Sequence, residues 1–198
     1  RAQGPRRARG RPAAVEVPVK LRIVPLTLTD ARRHVEAHHS HHGAPIGGLY
    51  ALGVAFGETL CCVAIVGRPV ARMLAGAAEV TRLASDGTKH VASMALGAAT
   101  RAGLALGWRR FVSYTILGEA GTSYRAAGWW PVAVSGGGEW SREDRPRDAV
   151  AQPGRKVRWE YGPEALPRDA DVDALVRASV GTVALPPRVE ALPLWRCP

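Results

Sequence analysis

The chain has 198 residues, of which 46% are hydrophobic and 22% charged, enough for one ordinary domain with a real core and too few for two large ones. That balance excludes a disordered chain, which lacks the aliphatic residues whose burial offsets ordering entropy. A formal net charge of +10 points to polyanionic partners such as nucleic acid, or to a phosphate-rich cofactor. Only Lys20, Lys89 and Lys156 are lysine, so the excess is arginine, which with abundant Ala, Gly and Pro is also what a GC-rich genome produces. The three cysteines, Cys61, Cys62 and Cys197, form neither a disulfide framework nor a zinc spacing and fit a reducing cytosol. The opening RAQGPRRARGRPAA has a basic region with no apolar stretch behind it, so no signal peptide is expected and the reading is cytoplasmic. Residues 44–67 are apolar enough to resemble a membrane span, but their five glycines and the Gly57-Glu58-Thr59 break suit a hairpin of two buried strands, and no membrane partner is expected.

Residues 1–16 are expected to form a mobile basic arm. Residues 17–26 alternate apolar and other side chains, the period of a half-buried strand. Thr27 with Asp30 resembles a capping box opening a helix to about residue 40, ended by Gly43 and Pro45. Residues 49–56 and 60–66 read as the hairpin, with 70–74 extending or reversing it. Residues 77–85 (AAEVTRLAS) read as a strand, Asp86-Gly87-Thr88 as a turn, and the alanine-rich 91–106 as a helix closed at Gly107. Residues 109–117 form a strand rich in β-branched and aromatic residues. A short helix over 120–127 then stops at Gly128, followed by strands over 129–134 and 156–161. Residues 136–154 read as loop, and 163–198 as a loosely attached Pro/Ala-rich tail with one weak helix over 169–179. The domain proper spans 17–162, an α/β layout with a mixed sheet.

Two segments carry chemistry. EVTRLASDGT runs from strand through a glycine turn into a helix start, where unpaired backbone N–H groups and the helix dipole favour an anion such as a pyrophosphate. The second is Gly121-Thr122-Ser123-Tyr124-Arg125-Ala126-Ala127-Gly128-Trp129, a tyrosine four residues before a glycine and an aromatic on a short helix after a strand. In this order and spacing, together with Ala92-Ser93 and Val112-Ser113-Tyr114, the segments resemble the GNAT acetyltransferase superfamily over residues 17–134. The likeness is greatest to phage and prophage-borne branches that include proteins similar to the Mom DNA-modification enzyme. It extends to a small acetyltransferase family with a His-rich helix end and the Val66-Gly67-Arg68-Pro69-Val70 run.

The resemblance implies a GNAT-like fold, a mostly antiparallel mixed sheet flanked by helices, and acyl-CoA-dependent N-acylation of a primary amine. Acetyl-CoA or another acyl-CoA would be the cofactor. The acceptor would be an amine on DNA or a modified nucleobase, with small-molecule and protein amines left open. Tyr124 would protonate the leaving thiolate, and the backbone of Leu83, Ala84 and Ser85 would hold the pantetheine arm. Gly87, Thr88, Lys89, His90 and Ser93 would hold the pyrophosphate, although Asp86 to Ala92 departs from the superfamily's phosphate loop, an Arg or Gln followed after two residues by Gly-x-Gly or Gly-x-Ala. The competing reading is a non-catalytic DNA-binding accessory protein that keeps the fold and has a filled or absent CoA cleft.

Glu79 is the candidate general base and Arg82 the candidate holder of an acyl carboxylate or a phosphate. Strict alternation puts them on opposite strand faces, so they serve one pocket only if a bulge intervenes. Each also reads as half of a structural ion pair. His34, His38, His39, His41 and His42 cluster at a helix end, where a shared face would suit a metal and the helix dipole would suit exposed histidines. Of these, His39 is taken as the one that contacts substrate or moves a proton. Cys61 and Cys62 read as strand core with side chains on opposite faces, and Trp129, Trp130 and Trp140 as packing or as nucleobase stackers.

Overall fold

The computed structural model describes residues 20–38, 43–136 and 154–182. The basic arm, His39, His41, His42, Trp140, Cys197 and the end of the tail lie outside the described residues. Seven strands form one sheet, in the order β1 (Leu21–Leu26), β2 (Tyr50–Phe56), β3 (Thr59–Gly67), β4 (Ala78–Ser85), β5 (Phe111–Ile116), β7 (Lys156–Tyr161), β6 (Trp130–Val134). All neighbours are antiparallel except β4 and β5. Among the described residues four helices flank the sheet: α1 (Leu28–His38), α2 (Val91–Ala105), α3 (Thr122–Ala126) and α4 (Ala170–Ser179). The layout is the expected GNAT-like α/β architecture.

The continuous apolar run of β3 is buried on both faces, which is what a central strand between two helix layers requires. One face carries the main core, where Val54, Ala64, Val66, Val80 and Phe111 meet α2, α3 and α4. The other carries Val24, Val63, Ile65 and Ala84 beneath Ala31 and Val35 of α1. The small residues of α2 let it lie directly on the sheet: a Cβ at Gly103 would fall 2.4 Å from the Phe111 ring. Thr27 opens α1 as its capping-box spacing suggests, its hydroxyl accepting from Asp30 N at 3.1 Å and donating to the Asp30 carboxylate.

Three local expectations are corrected. Residues 70–74 neither extend nor reverse the hairpin; a single 3-10 turn (Arg72–Leu74) sits there, burying Leu74 against Val112. Cys61 and Cys62 do not alternate. A register shift opposite Val54/Ala55 makes Cys61 the extra residue of a bulge, and both free cysteines join the main core. The weak helix of the tail is α4, capped by Asp169 accepting from Asp171 N and Val172 N. Its Val176 is fully buried among Tyr124, Trp129 and Trp159, so the packed domain runs past residue 162.

Gly121 occupies left-handed space (φ 61°), and a Cβ there would lie 2.1 Å from the fully buried Trp159 ring. Gly87 is also left-handed (φ 95°) but has nothing within 4 Å of its Cβ position. Gly121→Ala should therefore cost about 3 kcal/mol, combining backbone strain with overpacking, and Gly87→Ala about 1 kcal/mol from strain alone. Urea midpoints of the two variants check this; equal losses would refute the close packing.

His34 of α1 is buried with its Nε2 unpartnered, and burial, aided by the neighbouring His38, lowers its pKa from 6.5 to about 4. Asp86 and a hydrogen bond to the Ala84 backbone oppose the shift without reversing it. Between those pH values the unfolded chain binds a proton that the fold excludes, so the stability contribution is present above pH 6.5 and lost on acidification toward pH 4. The expected loss is about 3 kcal/mol. His34→Gln should flatten the stability profile over that window in urea titrations; an unaltered slope would place the titrating group elsewhere.

Candidate functional site

The site is a wedge in the sheet. β4 and β5 pair only at Ala78↔Phe111 and Glu79↔Val112, and beyond these two steps the strands part. A bulge in β4 sets the divergence: Val66 faces Val80 while Ile65 faces Arg82, leaving Thr81 as the extra residue. Bulges bend a strand and increase its twist. Side chains pin this one, since Thr81 Oγ1 donates to the Ile65 carbonyl at 3.2 Å, Arg82 Nη1 to the Thr81 carbonyl at 2.6 Å and Arg82 Nε to the Gly43 carbonyl at 2.8 Å. Where a third ladder step would lie, Ser113 Oγ donates instead to the Val80 carbonyl at 2.9 Å.

The bulge reverses the alternation. Glu79 pairs with Gly67 and Arg82 with Ile65, residues of one phase of β3, so the two side chains share the α1 face. Among the described residues Arg82 forms no ion pair: its guanidinium ties the bulge to the loop at Gly43 while its charge still acts on Glu79. Burial pushes the Glu79 carboxyl above its ordinary pKa, and a hydrogen bond to the Val70 backbone and the charges of Arg82 and Lys156 oppose the shift. A carboxylate so placed holds a proton more readily than an exposed one, as a base must.

Tyr124 reaches the apex of the wedge from the opposite face. Its ring stacks on Trp159 with centroids 5.2 Å apart and meets Trp129 edge-on at 5.7 Å. Its hydroxyl lies 2.8 Å from Ser113 Oγ. Ser113 has one proton and gives it to Val80, so Tyr124 is the donor of this pair. Burial pushes the phenol up to about 12, which keeps its proton in place at neutral pH. Trp129 is thus core packing, and Trp130 donates from Nε1 to the Leu166 carbonyl.

The glycine turn lies at the wide end of the wedge. Gly87, Thr88, Lys89 and His90 are exposed, His90 takes left-handed φ 68° as the N-cap of α2, and no side chain caps that helix. Ser93 Oγ donates to the His90 carbonyl at 3.0 Å. The Asp86 carboxylate accepts from Thr88 N at 2.8 Å and Ser85 Oγ from Gly87 N at 3.4 Å, so two turn N–H groups are already taken. Leu83, Ala84 and Ser85 pair with β3 alone, leaving the β5-facing edge of β4 without a ladder. Among the described residues no group of three or more His, Cys, Asp or Glu is arranged to hold a metal ion, and no helix is long and apolar enough to cross a membrane.

Sequence reasoning used Ser113 and Tyr114 only as carriers of the resemblance and gave no site role to them, Lys156 or Arg158. Ser113 carried a readable signal, a small hydroxyl in the core-facing phase of an otherwise apolar strand. The other three depend on β7 lying beside β5, which periodicity along a single strand does not reveal.

No protein-family model matches the chain, and no curated protein matches it. Solved structures share its architecture at low identity. The ribosomal-protein-S18-alanine N-acetyltransferase of Escherichia coli is similar over 75% of this chain and 97% of its own, with 11% identity and a TM-score of 0.52. A GNAT-family acetyltransferase of Streptococcus pneumoniae matches over 72% and 99%, with 11% identity and a TM-score of 0.52. An agmatine N-acetyltransferase variant matches over 72% and 99%, with 9% identity and a TM-score of 0.53. The chain therefore has the fold of GNAT N-acetyltransferases.

Proposed function

We propose that the protein transfers an acyl group from acyl-CoA to a primary amine at the apex of the wedge. The observation that carries this reading is the two-step β4–β5 ladder with a carboxylate on one face of its last step and a protonated phenol on the other. Solved structures with this architecture are named as N-acetyltransferases of a ribosomal-protein alanine and of agmatine, both amines, which supports the acceptor class.

The residues present suit such a donor. The unladdered edge of β4 offers backbone groups to an extended chain bearing amides, as a sheet edge does to an added strand. The uncapped N-terminus of α2 and the Lys89 ammonium favour phosphates, and the Asp86 carboxylate beside them weakens that attraction. Bound acyl-CoA supplies an activated thioester carbonyl and a sulfur able to leave as thiolate. Glu79 takes a proton from the amine, directly or through water. Tyr124, with a phenol near 12 against a thiol near 8.5, keeps its proton and turns it from Ser113 Oγ to the departing sulfur, to which it donates a hydrogen bond. Full proton transfer from it would run uphill.

For the acceptor, we favour an amine on a nucleobase. The EVTRL and GTSYRAAGW segments resemble phage DNA-modification proteins, and the net charge of +10 suits a polyanion. His39 remains a candidate contact for that substrate.

Tyr124→Phe keeps the ring and removes the donor, so single-turnover transfer should fall by about 10² to 10⁴ with acyl-CoA affinity nearly intact. Equal rates for the two proteins would remove Tyr124 from the mechanism. The pH–rate profile should show an acid limb above the ordinary carboxylate range, set by Glu79, and that limb should be missing from the residual activity of Glu79→Gln. A limb that persists in the variant would assign the base elsewhere.

A further inference from the structure

The sheet face that holds Glu79 continues across β5 and β7. Cross-strand partners share a face, so Glu79, Val112 and Glu160 form one row, Tyr114 and Arg158 the next, and Ile116 and Lys156 the third. Arg110, just before β5, donates to both oxygens of the fully buried Glu160 at 2.9 and 2.7 Å, and Leu166 N donates to the same carboxylate at 2.9 Å. Arg158 Nε stands 3.1 Å from Glu160 without hydrogen-bond geometry. One carboxylate between two guanidiniums leaves one positive charge uncompensated. Lys156 and Arg82 both act on Glu79, and Arg158 acts on the Tyr114 hydroxyl. Among the described residues of β4, β5 and β7, with the residue before β5, the charged groups of this face are thus four cations, Arg82, Arg110, Lys156 and Arg158, against two carboxylates, Glu79 and Glu160.

We infer that the acceptor amine is carried by a molecule with an anionic group, a phosphate or a carboxylate, which Lys156 and Arg158 bind while Glu79 receives the amine. This rests on the acyltransferase reading and narrows it. Arg158 lies one row of the sheet, about 7 Å, and Lys156 two rows, about 14 Å, beyond Glu79, and this spacing sets the separation between the amine and the anion. A diamine or agmatine would set its second cation against Lys156 and Arg158, a repulsion rather than a bond.

The full chain should be assayed with acetyl-CoA against O-phosphoethanolamine, β-alanine, agmatine and a single-stranded oligonucleotide. Calorimetric binding of each amine without acetyl-CoA should be measured in parallel. The anionic amines should exceed agmatine in both affinity and kcat/KM by about tenfold, the scale of adding one charge pair and removing one repulsion, and rising salt should erode the difference. Lys156→Glu should abolish or invert the ratio. Arg158→Gln, tested as a second variant, should reduce it if Lys156→Glu does not fold. Preference for the oligonucleotide over both small anions would make its phosphates the source of the charge, and preference for β-alanine would make it a carboxylate. Anion preference in binding with no acyl transfer to any amine would keep this inference and sink the acyltransferase reading. Equal or better binding of agmatine would overturn the inference.

Discussion

The structure turns on the single hydroxyl of Ser113. Two parallel ladder steps hold β4 to β5, and the next contact is a side chain's, from Ser113 Oγ to the Val80 carbonyl. A backbone ladder continued one step further would have closed the gap and satisfied the same carbonyl. By taking it, the serine lets the strands part without stranding a buried acceptor, which would otherwise cost on the order of 1–3 kcal/mol. The same oxygen accepts from Tyr124, so the residue that keeps the wedge open also aims the phenol at its apex.

On the opposite face the organising group is Glu160. It is fully buried, yet it is reached by Arg110 and the Leu166 backbone. A buried carboxylate is tolerable only when paired and hydrogen-bonded. Its partners come from the start of β5 and from the segment leading to α4, so the pairing joins the wedge strand to the C-terminal helix. The positive excess of the face follows from this structural need, because Arg158 is left beside a carboxylate whose oxygens are already engaged.

Most of the fold was readable because its signals are local. The alternation of β1, the apolar run of β3, the alanine content of α2 and the glycine stops at Gly107 and Gly128 each specify an element without reference to the rest. The bulge at Thr81 was legible only as a conditional, since alternation alone assigns Glu79 and Arg82 to opposite faces. No comparable reasoning foresaw the bulge at Cys61. Nor did the composition of residues 163–182 disclose α4's place in the core; one buried valine, Val176, decides it, and a proline-rich flank hides so small a signal. The order β5-β7-β6 was invisible because it depends on pairing between segments far apart in the chain. That is why Tyr114, Arg158 and Lys156 escaped notice as a group.

The insertion of β7 between β5 and β6 also governs the sequence of events as the chain emerges from the ribosome. Once residue 134 has been made, β6 has no hydrogen-bonding neighbour, because its partner β7 begins at Lys156. Trp159, on which the Tyr124 ring stacks, arrives with that late strand, and Val176 later still. The first five strands and α2 contain mostly hairpin and neighbouring contacts and are able to assemble early, whereas the aromatic cage of Tyr124 requires closure across a long interval of sequence. Synthesis thus yields a partly formed sheet whose chemistry is absent until its last third is in place.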